Sequence, residues 1–151
     1  MYLLNEIHNR FSVVEKENIK RGKVGISEVC AKSPFKLPDD YISFLECISG
    51  ENGSGVCLEA DGWCPLVIYS AEEALNKMQD YELYADDVWI IGDDMGDAAY
   101  LYKKGERGTA IYYEDDLGAL GAPGNELKKV ADTLTDLLVN GIGIDVMEGN
   151  L

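Results

Sequence analysis

The residues of this sequence whose types and spacing could do chemistry are few. Asp93, Asp94 and Asp97 crowd into Gly92-Asp93-Asp94-Met95-Gly96-Asp97, and Glu114-Asp115-Asp116 forms a second acidic run. Three carboxylates in a tight turn could bind a hard cation such as calcium. The calcium-loop pattern D-x-[DN]-x-[DN]-G with a distal Glu is missing, and a solvated β-turn accounts for the same residues. Neighbouring carboxylates can also divide acid and base roles, but spacing along the chain does not fix their geometry. The same two readings apply to Glu114, Asp115 and Asp116.

Nucleophilic catalysis finds no prompt. There is no G-x-S-x-G elbow, and His8 is the single histidine, distant in sequence from every Ser and Cys. A lone histidine without a partner reads as a surface or edge residue. Cys30, Cys47, Cys57 and Cys64 include no C-x-x-C pair, so they read as reduced, structural thiols of a cytosolic chain. The glycine-rich Gly50–Gly55 run follows a helix pattern and lacks a Lys after its last glycine, unlike a phosphate-binding loop. Tyr81, Tyr84, Tyr100, Tyr102, Tyr112 and Tyr113 suit strand positions and sheet packing. The expectation is a protein that is not an enzyme, with no cofactor and no dedicated metal site.

Charge narrows the partners. The formal net charge is −15, which opposes contact with nucleic acid or an anionic membrane, because phosphate contacts need Lys and Arg. A basic protein partner fits this field better. The acidity also serves solubility alone. No apolar run approaches a membrane span. The N-terminus lacks a basic region followed by a long apolar one, so it does not read as a signal peptide and the chain reads as cytoplasmic.

The elements that must position these residues can be read in order. The 151 residues suit one domain. Leu3, Leu4, Ile7, Phe11 and Val14 fall at helical spacing, predicting an amphipathic helix over residues 2–15. Lys16, Lys20, Arg21 and Lys23 make a basic connector to residue 25, expected to be a solvated loop. Ser27 could cap a short helix over 27–32. Leu37-Pro38-Asp39-Asp40-Tyr41-Ile42-Ser43-Phe44-Leu45-Glu46-Cys47-Ile48-Ser49-Gly50 reads as one complete helix. Pro38 suits the first helical position, Asp39 and Asp40 favour the positive end of the dipole, and Gly50 can end the helix in a left-handed conformation. Tyr41, Phe44, Leu45 and Ile48 form its apolar face.

Strands follow at 56–60 and 63–69 around an Asp61-Gly62 turn, with Pro65 pointing to an edge or a bulge. Ser70-Ala71-Glu72-Glu73 is a capping box opening a helix that buries Ala71, Ala74, Leu75 and Met78 and ends near Tyr81. Asp86 and Asp87 precede a strand at 88–91. Strands at 98–102 and 109–113 flank a loop over 103–108. A glycine-rich loop leads to an apolar stripe of Leu127, Val130, Ala131, Leu134, Leu137 and Leu138, read as a final helix. Asn125 could cap that helix, although Lys128 and Lys129 would then oppose its dipole. Residues 142–151 are expected to be a loosely held tail. Short strands joined by short turns must pair antiparallel. The fold class is therefore α+β: a single antiparallel sheet of about five or six strands, with helices packed mainly on one face.

Three stretches together resemble the SUKH superfamily, the yeast cell-wall-assembly-regulator-like (Smi/Knr) domains found mostly as bacterial toxin-immunity proteins. LPDDYISFLECISGENG is similar to its L-P-x-x-Y-x-x-F-L…N-G signature, placing Leu37, Pro38, Tyr41, Phe44, Leu45 and Gly50 at signature positions. Trp89 to Asp97 is similar to its I-G-x-D-G-G-G strand-turn through Gly92 and Gly96, with Met95 and Asp97 where the family has glycine. Val130 to Leu138 is similar to its closing A-x-S-F-x-x-F-L helix, with Leu134 in place of an aromatic. The resemblance implies a single SUKH-like domain over residues 1–151 that binds protein without catalysis. An immunity protein covering a basic, nuclease-like toxin is its first implication. Asp93, Asp94, Asp97, Glu114, Asp115 and Asp116 are then candidate contacts, since binding residues concentrate in turns. A regulatory scaffold binding a host protein is the alternative, and a metal-binding protein or enzyme using the Asp93/Asp94/Asp97 turn is a second. The toxin's identity, the binding face and the oligomeric state stay open.

Overall fold

The computed structural model describes residues 3–81, 87–106, 108–120, 122 and 126–149. The readings made for Tyr84, Asp86, Asn125 and the last residues of the tail lie outside these. Among the described residues, seven strands form one sheet: β1 (Phe11–Val14), β2 (Val56–Ala60), β3 (Cys64–Ile68), β4 (Val88–Asp93), β5 (Ala99–Gly105), β6 (Gly108–Glu114) and β7 (Lys128–Ala131). They lie side by side in chain order, every neighbouring pair antiparallel. Among the same residues, five helices accompany them: α1 (Ile26–Lys32), α2 (Asp39–Ile48), α3 (Ala71–Tyr81), α4 (Leu134–Leu138) and α5 (Ile144–Met147). The architecture is α+β as expected, with seven strands where five or six were predicted.

The two added strands are the two edges of the sheet. The predicted helix over residues 2–15 is not formed. Leu3–Asn5 makes a single 3-10 turn and Phe11–Val14 pairs with β2, from Phe11 opposite Ala60 to Val14 opposite Cys57. An isolated short helix has a costly nucleus, whereas Phe and Val suit a pleated, half-buried surface. The predicted final helix likewise divides. Lys128–Ala131 pairs with β6, and only Leu134–Leu138 is helical, capped by the Thr133 hydroxyl accepting from the Asp136 amide at 3.0 Å. Placing Lys128 and Lys129 on an edge strand removes their conflict with a helix dipole, and edge lysines discourage further pairing. The tail is held more firmly than predicted: α5 buries Ile144 and Met147. Arg10 clasps it by reaching Asp145 at 3.0 Å and Glu148 at 2.7 Å while also binding Asp61 at 2.6 Å.

The helix α2 begins one residue later than predicted, with Pro38 extended at the cap position. Asp40 does more than favour the dipole: its Oδ2 accepts from the Thr135 amide at 3.0 Å and hydroxyl at 2.9 Å, tying α2 to α4. Gly50 is not left-handed; the helix ends at Ile48 and caps on Ser49. Gly50 is required by close approach instead, because a Cβ there would lie 2.7 Å from the Arg21 carbonyl oxygen. The basic connector is correspondingly not a free loop. Gly22 and Val24 donate to the carbonyls of Glu46 and Ser49, stitching it to the end of α2. The helix α1 starts after left-handed Gly25, one residue before the predicted Ser27 start.

The middle of the chain follows the prediction closely. Asp61 and Gly62 are both left-handed at the β2–β3 turn, with φ of 53° and 80°. The capping box of α3 is reciprocal: the Ser70 amide donates to Glu73 Oε1 at 3.0 Å, and the Glu73 amide donates to Ser70 Oγ at 3.4 Å. Tyr81 is the last residue of α3, not a strand residue. The β5–β6 hairpin is tighter than the predicted loop, since Gly105 pairs with Gly108.

The strands β3 and β4 meet at only two residue pairs, Val67 with Asp93 and Ile68 with Gly92. There Gly92 is obligatory: a Cβ would sit 2.0 Å from the Val67 carbonyl oxygen. Pro65 is tolerated because this part of β3 pairs with β2 alone. Where β4 has no β3 neighbour, α3 stands beside it, and the Ile90 amide donates to Met78 Sδ at 3.2 Å. The signature residues Tyr41, Phe44 and Leu45 are fully buried. Trp89 Nε1 donates to the Tyr41 hydroxyl at 3.1 Å, and the Tyr41 ring meets Tyr102 edge-on with centroids 5.3 Å apart.

Candidate functional site

The two acidic runs lie at adjoining ends of strands. Asp93 ends β4 and Glu114 ends β6, and β5 between them starts at Ala99. In an antiparallel meander the C-terminal ends of β4 and β6 fall at the same rim of the sheet. The Leu117 amide closes the gap by donating to the Asp97 carbonyl at 2.9 Å. Chain topology therefore brings together carboxylates from two segments that the sequence keeps apart.

Their roles differ. Asp93 Oδ1 accepts from the Met95 amide at 2.9 Å, and Asp94 Oδ1 accepts from the Gly96 amide at 2.9 Å. These are consecutive Asx turns, in which a short side chain mimics a backbone turn. Their other oxygens reach back to the sheet: Tyr69 donates to Asp93 Oδ2 at 2.6 Å, and Tyr113 donates to Asp94 Oδ2 at 3.5 Å. Burial, followed by the adjacent carboxylates, raises the pKa of both phenols, so they stay protonated donors. The turn also lifts Met95, left-handed at φ 70°, into solvent with 73% of its surface exposed.

Glu114 is fully buried, and its Oε1 accepts from the Asp116 amide at 3.1 Å. It shapes the second run and presents no surface to a partner in this conformation. Asp116 Oδ1 caps a 3-10 turn at Leu117–Ala119 by accepting from the Gly118 amide at 3.0 Å. Asp97, Asp115 and Asp116 are the exposed members of the six.

A shallow depression of about 140 Å³ lies between the runs, lined by Asp93, Asp97, Asp116, Leu117, Lys77 and Tyr81 among others. Drug-sized ligand pockets begin at roughly 300 Å³. Sequence reasoning missed Lys77 and Tyr81 in the lining of the depression and Tyr69 as the donor to Asp93. Lys77 and Tyr81 stand four apart on α3, the spacing that stacks side chains on one helix face, and the Lys77 ammonium lies 5.8 Å from the Tyr81 ring centre. Tyr69, immediately before the capping box, carried no signal of its own. Among the described residues, no three His, Cys, Asp or Glu side chains converge to hold a metal ion. Among them also, no helix is long and apolar enough to cross a membrane.

The family model described as SMI1 / KNR4 family (SUKH-1) matches residues 24–140, well over half of the chain and all of it from α1 through α4. No curated protein and no solved structure matches.

Proposed function

The chain belongs to the SMI1 / KNR4 family (SUKH-1), and from that premise we propose a non-catalytic immunity protein that neutralises a cognate bacterial toxin by direct binding. The family includes toxin-immunity proteins. The observation that supports the reading in this chain is the joined acidic rim. Asp97, Asp115 and Asp116 are exposed on it, while Asp93, Asp94 and Glu114 are committed to building it. A partner with a cationic surface, such as a toxin that acts on nucleic acid, is complementary to that rim and to a net charge of −15. Met95 at the crest offers an apolar contact inside a polar surround, the arrangement of an interface anchor. The rim is proposed to cover the toxin's cationic surface and so deny it to substrate. The reading places the protein in the cytoplasm, where such a toxin acts.

The test takes as partner the basic, toxin-like protein that the tagged chain captures from its own cell lysate. Reversal of Asp97, Asp115 and Asp116 together to Lys should slow association and flatten its dependence on ionic strength, because steering by rim charges acts mainly on the on-rate. Growth rescue in cells expressing the toxin should fall with it. An unchanged on-rate, salt dependence and rescue would remove these residues from the interface. Absence of binding by the unaltered protein would remove the immunity reading itself.

A further inference from the structure

A second surface is legible in the half of the sheet built from β1, β2 and β3. Burial alternates strictly along β2 and β3. Phe11, Val56, Leu58, Ala60, Cys64, Leu66 and Ile68 point into the core. The intervening residues share the other face, because antiparallel partners directly opposite each other project to the same side. Ser12, Glu59 and Pro65 form one cross-strand row, and Val14, Cys57, Val67 and Asp93 form the next. The Val14, Cys57, Glu59, Pro65 and Val67 side chains are half-buried, so this face keeps accessible surface, bounded at one end by Asn18 and Ile19. By contrast β4 is buried on both faces along most of its length.

The accessible face has a shape and a charge. At the end bearing Val14 it dips into a depression of about 200 Å³ lined by Val14, Glu15, Asn18, Ile19, Cys57 and Val67 among others. Three carboxylates belong to this face: Glu59 and Asp93 in its cross-strand rows and Glu15 in the lining of the depression. Burial raises the pKa of the Cys57 thiol, and the charges of Glu59, Asp93 and Glu15 raise it further, which places all three within electrostatic reach of one sulfur. Among the described residues, no Lys or Arg forms an ion pair with any of the three. An apolar strip bordered by carboxylates without an ion pair is complementary to one kind of occupant: aliphatic side chains interleaved with cations.

We propose that the β1–β3 face is a docking surface for a cationic segment of a protein partner. Aliphatic side chains of that segment seat on Val14, Cys57 and Val67, one of them in the depression, and its Lys or Arg side chains meet Glu15 and Glu59, with the Asp93 charge adding to the field. Asp93 also belongs to the acidic rim, so a partner gripping the rim can extend onto this face. The proposal does not depend on the partner's being a toxin.

Cys57 is a built-in reporter. With Cys30, the exposed thiol, replaced by Ser, Cys57 is the accessible thiol of the chain, since Cys47 and Cys64 are buried. The probe is a blocked peptide of alternating Lys and Val, and the readout is the rate of Cys57 alkylation by iodoacetamide in the full chain. The Lys-Val peptide should slow alkylation saturably, about tenfold at ten times its Kd, as mass action requires. A Glu-Val peptide should not. Glu15→Gln with Glu59→Gln should restore the rate in the presence of the Lys-Val peptide. Neutralising Asp97, Asp115 and Asp116 to Asn should leave the protection in place, which separates this surface from the rim. An unchanged alkylation rate, equal protection by the Glu-Val peptide, or full protection of the doubly neutralised variant would each overturn the proposal.

Discussion

At the scale of single residues, the family signature is a set of solutions to local physical problems. Tyr41 lies in the L-P-x-x-Y segment because its hydroxyl accepts the Trp89 indole N–H inside the core. Both side chains are essentially unexposed, so neither has water as a substitute partner. Tyr41→Phe keeps the ring and its packing on Tyr102 but orphans the indole donor. The expected loss is about 1–3 kcal/mol, the cost of a buried unsatisfied polar group, seen as a lower urea midpoint with an unchanged slope. Adding Trp89→Phe should cost less than the sum of the two single changes, since the orphaned donor is then gone. Gly92 meets a steric problem of the same kind, with its missing Cβ giving room to the Val67 carbonyl. The signature's Gly92 was visible in the sequence; the reason for it was not, because Val67 lies in another strand.

At the scale of elements, legibility followed the closure of local signals. The helix α3 carried its own start in Ser70 and Glu73 and its own face in Ala71, Ala74, Leu75 and Met78; the start and the face were found where the spacing placed them, with Leu75 half-buried at its margin. Ser70→Ala removes one of the two capping bonds and should destabilise the protein by about 1 kcal/mol, read as a shift in urea midpoint. The edge strands carried no such closure. Phe11–Val14 and Lys128–Ala131 are four residues each, too short for period-two alternation to outvote a helical pattern formed with their neighbours. Pairing with β2 and β6 decided them. The helix α5 was overlooked for a related reason, since its attachment depends on Arg10, far away in sequence.

At the scale of the whole molecule, the sheet interior is rich in tyrosine, and this sets a limit on stability at high pH. Burial raises the pKa of Tyr41, Tyr69, Tyr100 and Tyr102 far above the ordinary value of about 10. For an acid whose folded pKa is raised, the stabilisation is fully present below the unfolded pKa. It is lost as pH climbs from that value toward the folded one. The protein should therefore hold its fold to about pH 10 and unfold cooperatively above it. Absorbance of tyrosinate and far-UV circular dichroism should show one coincident step for these four residues. Gradual ionisation of all the tyrosines with the circular dichroism unchanged would contradict their burial.

The sequence by itself determined the fold class, the family, the helices α2 and α3, the central strands and the net acidity. These are properties of composition, of periodicity within one segment, or of caps that close over four residues. Only the tertiary structure decided the two sheet edges, the anchoring of α5, the union of the two acidic runs into one rim and the accessible β1–β3 face. Each of those depends on which distant segment lies alongside. Asp97 and Leu117 become neighbours through strand order, and Val14, Cys57 and Val67 become one surface through register. Periodicity within a segment says that a face exists, and the packing of the other segments decides whether that face is covered.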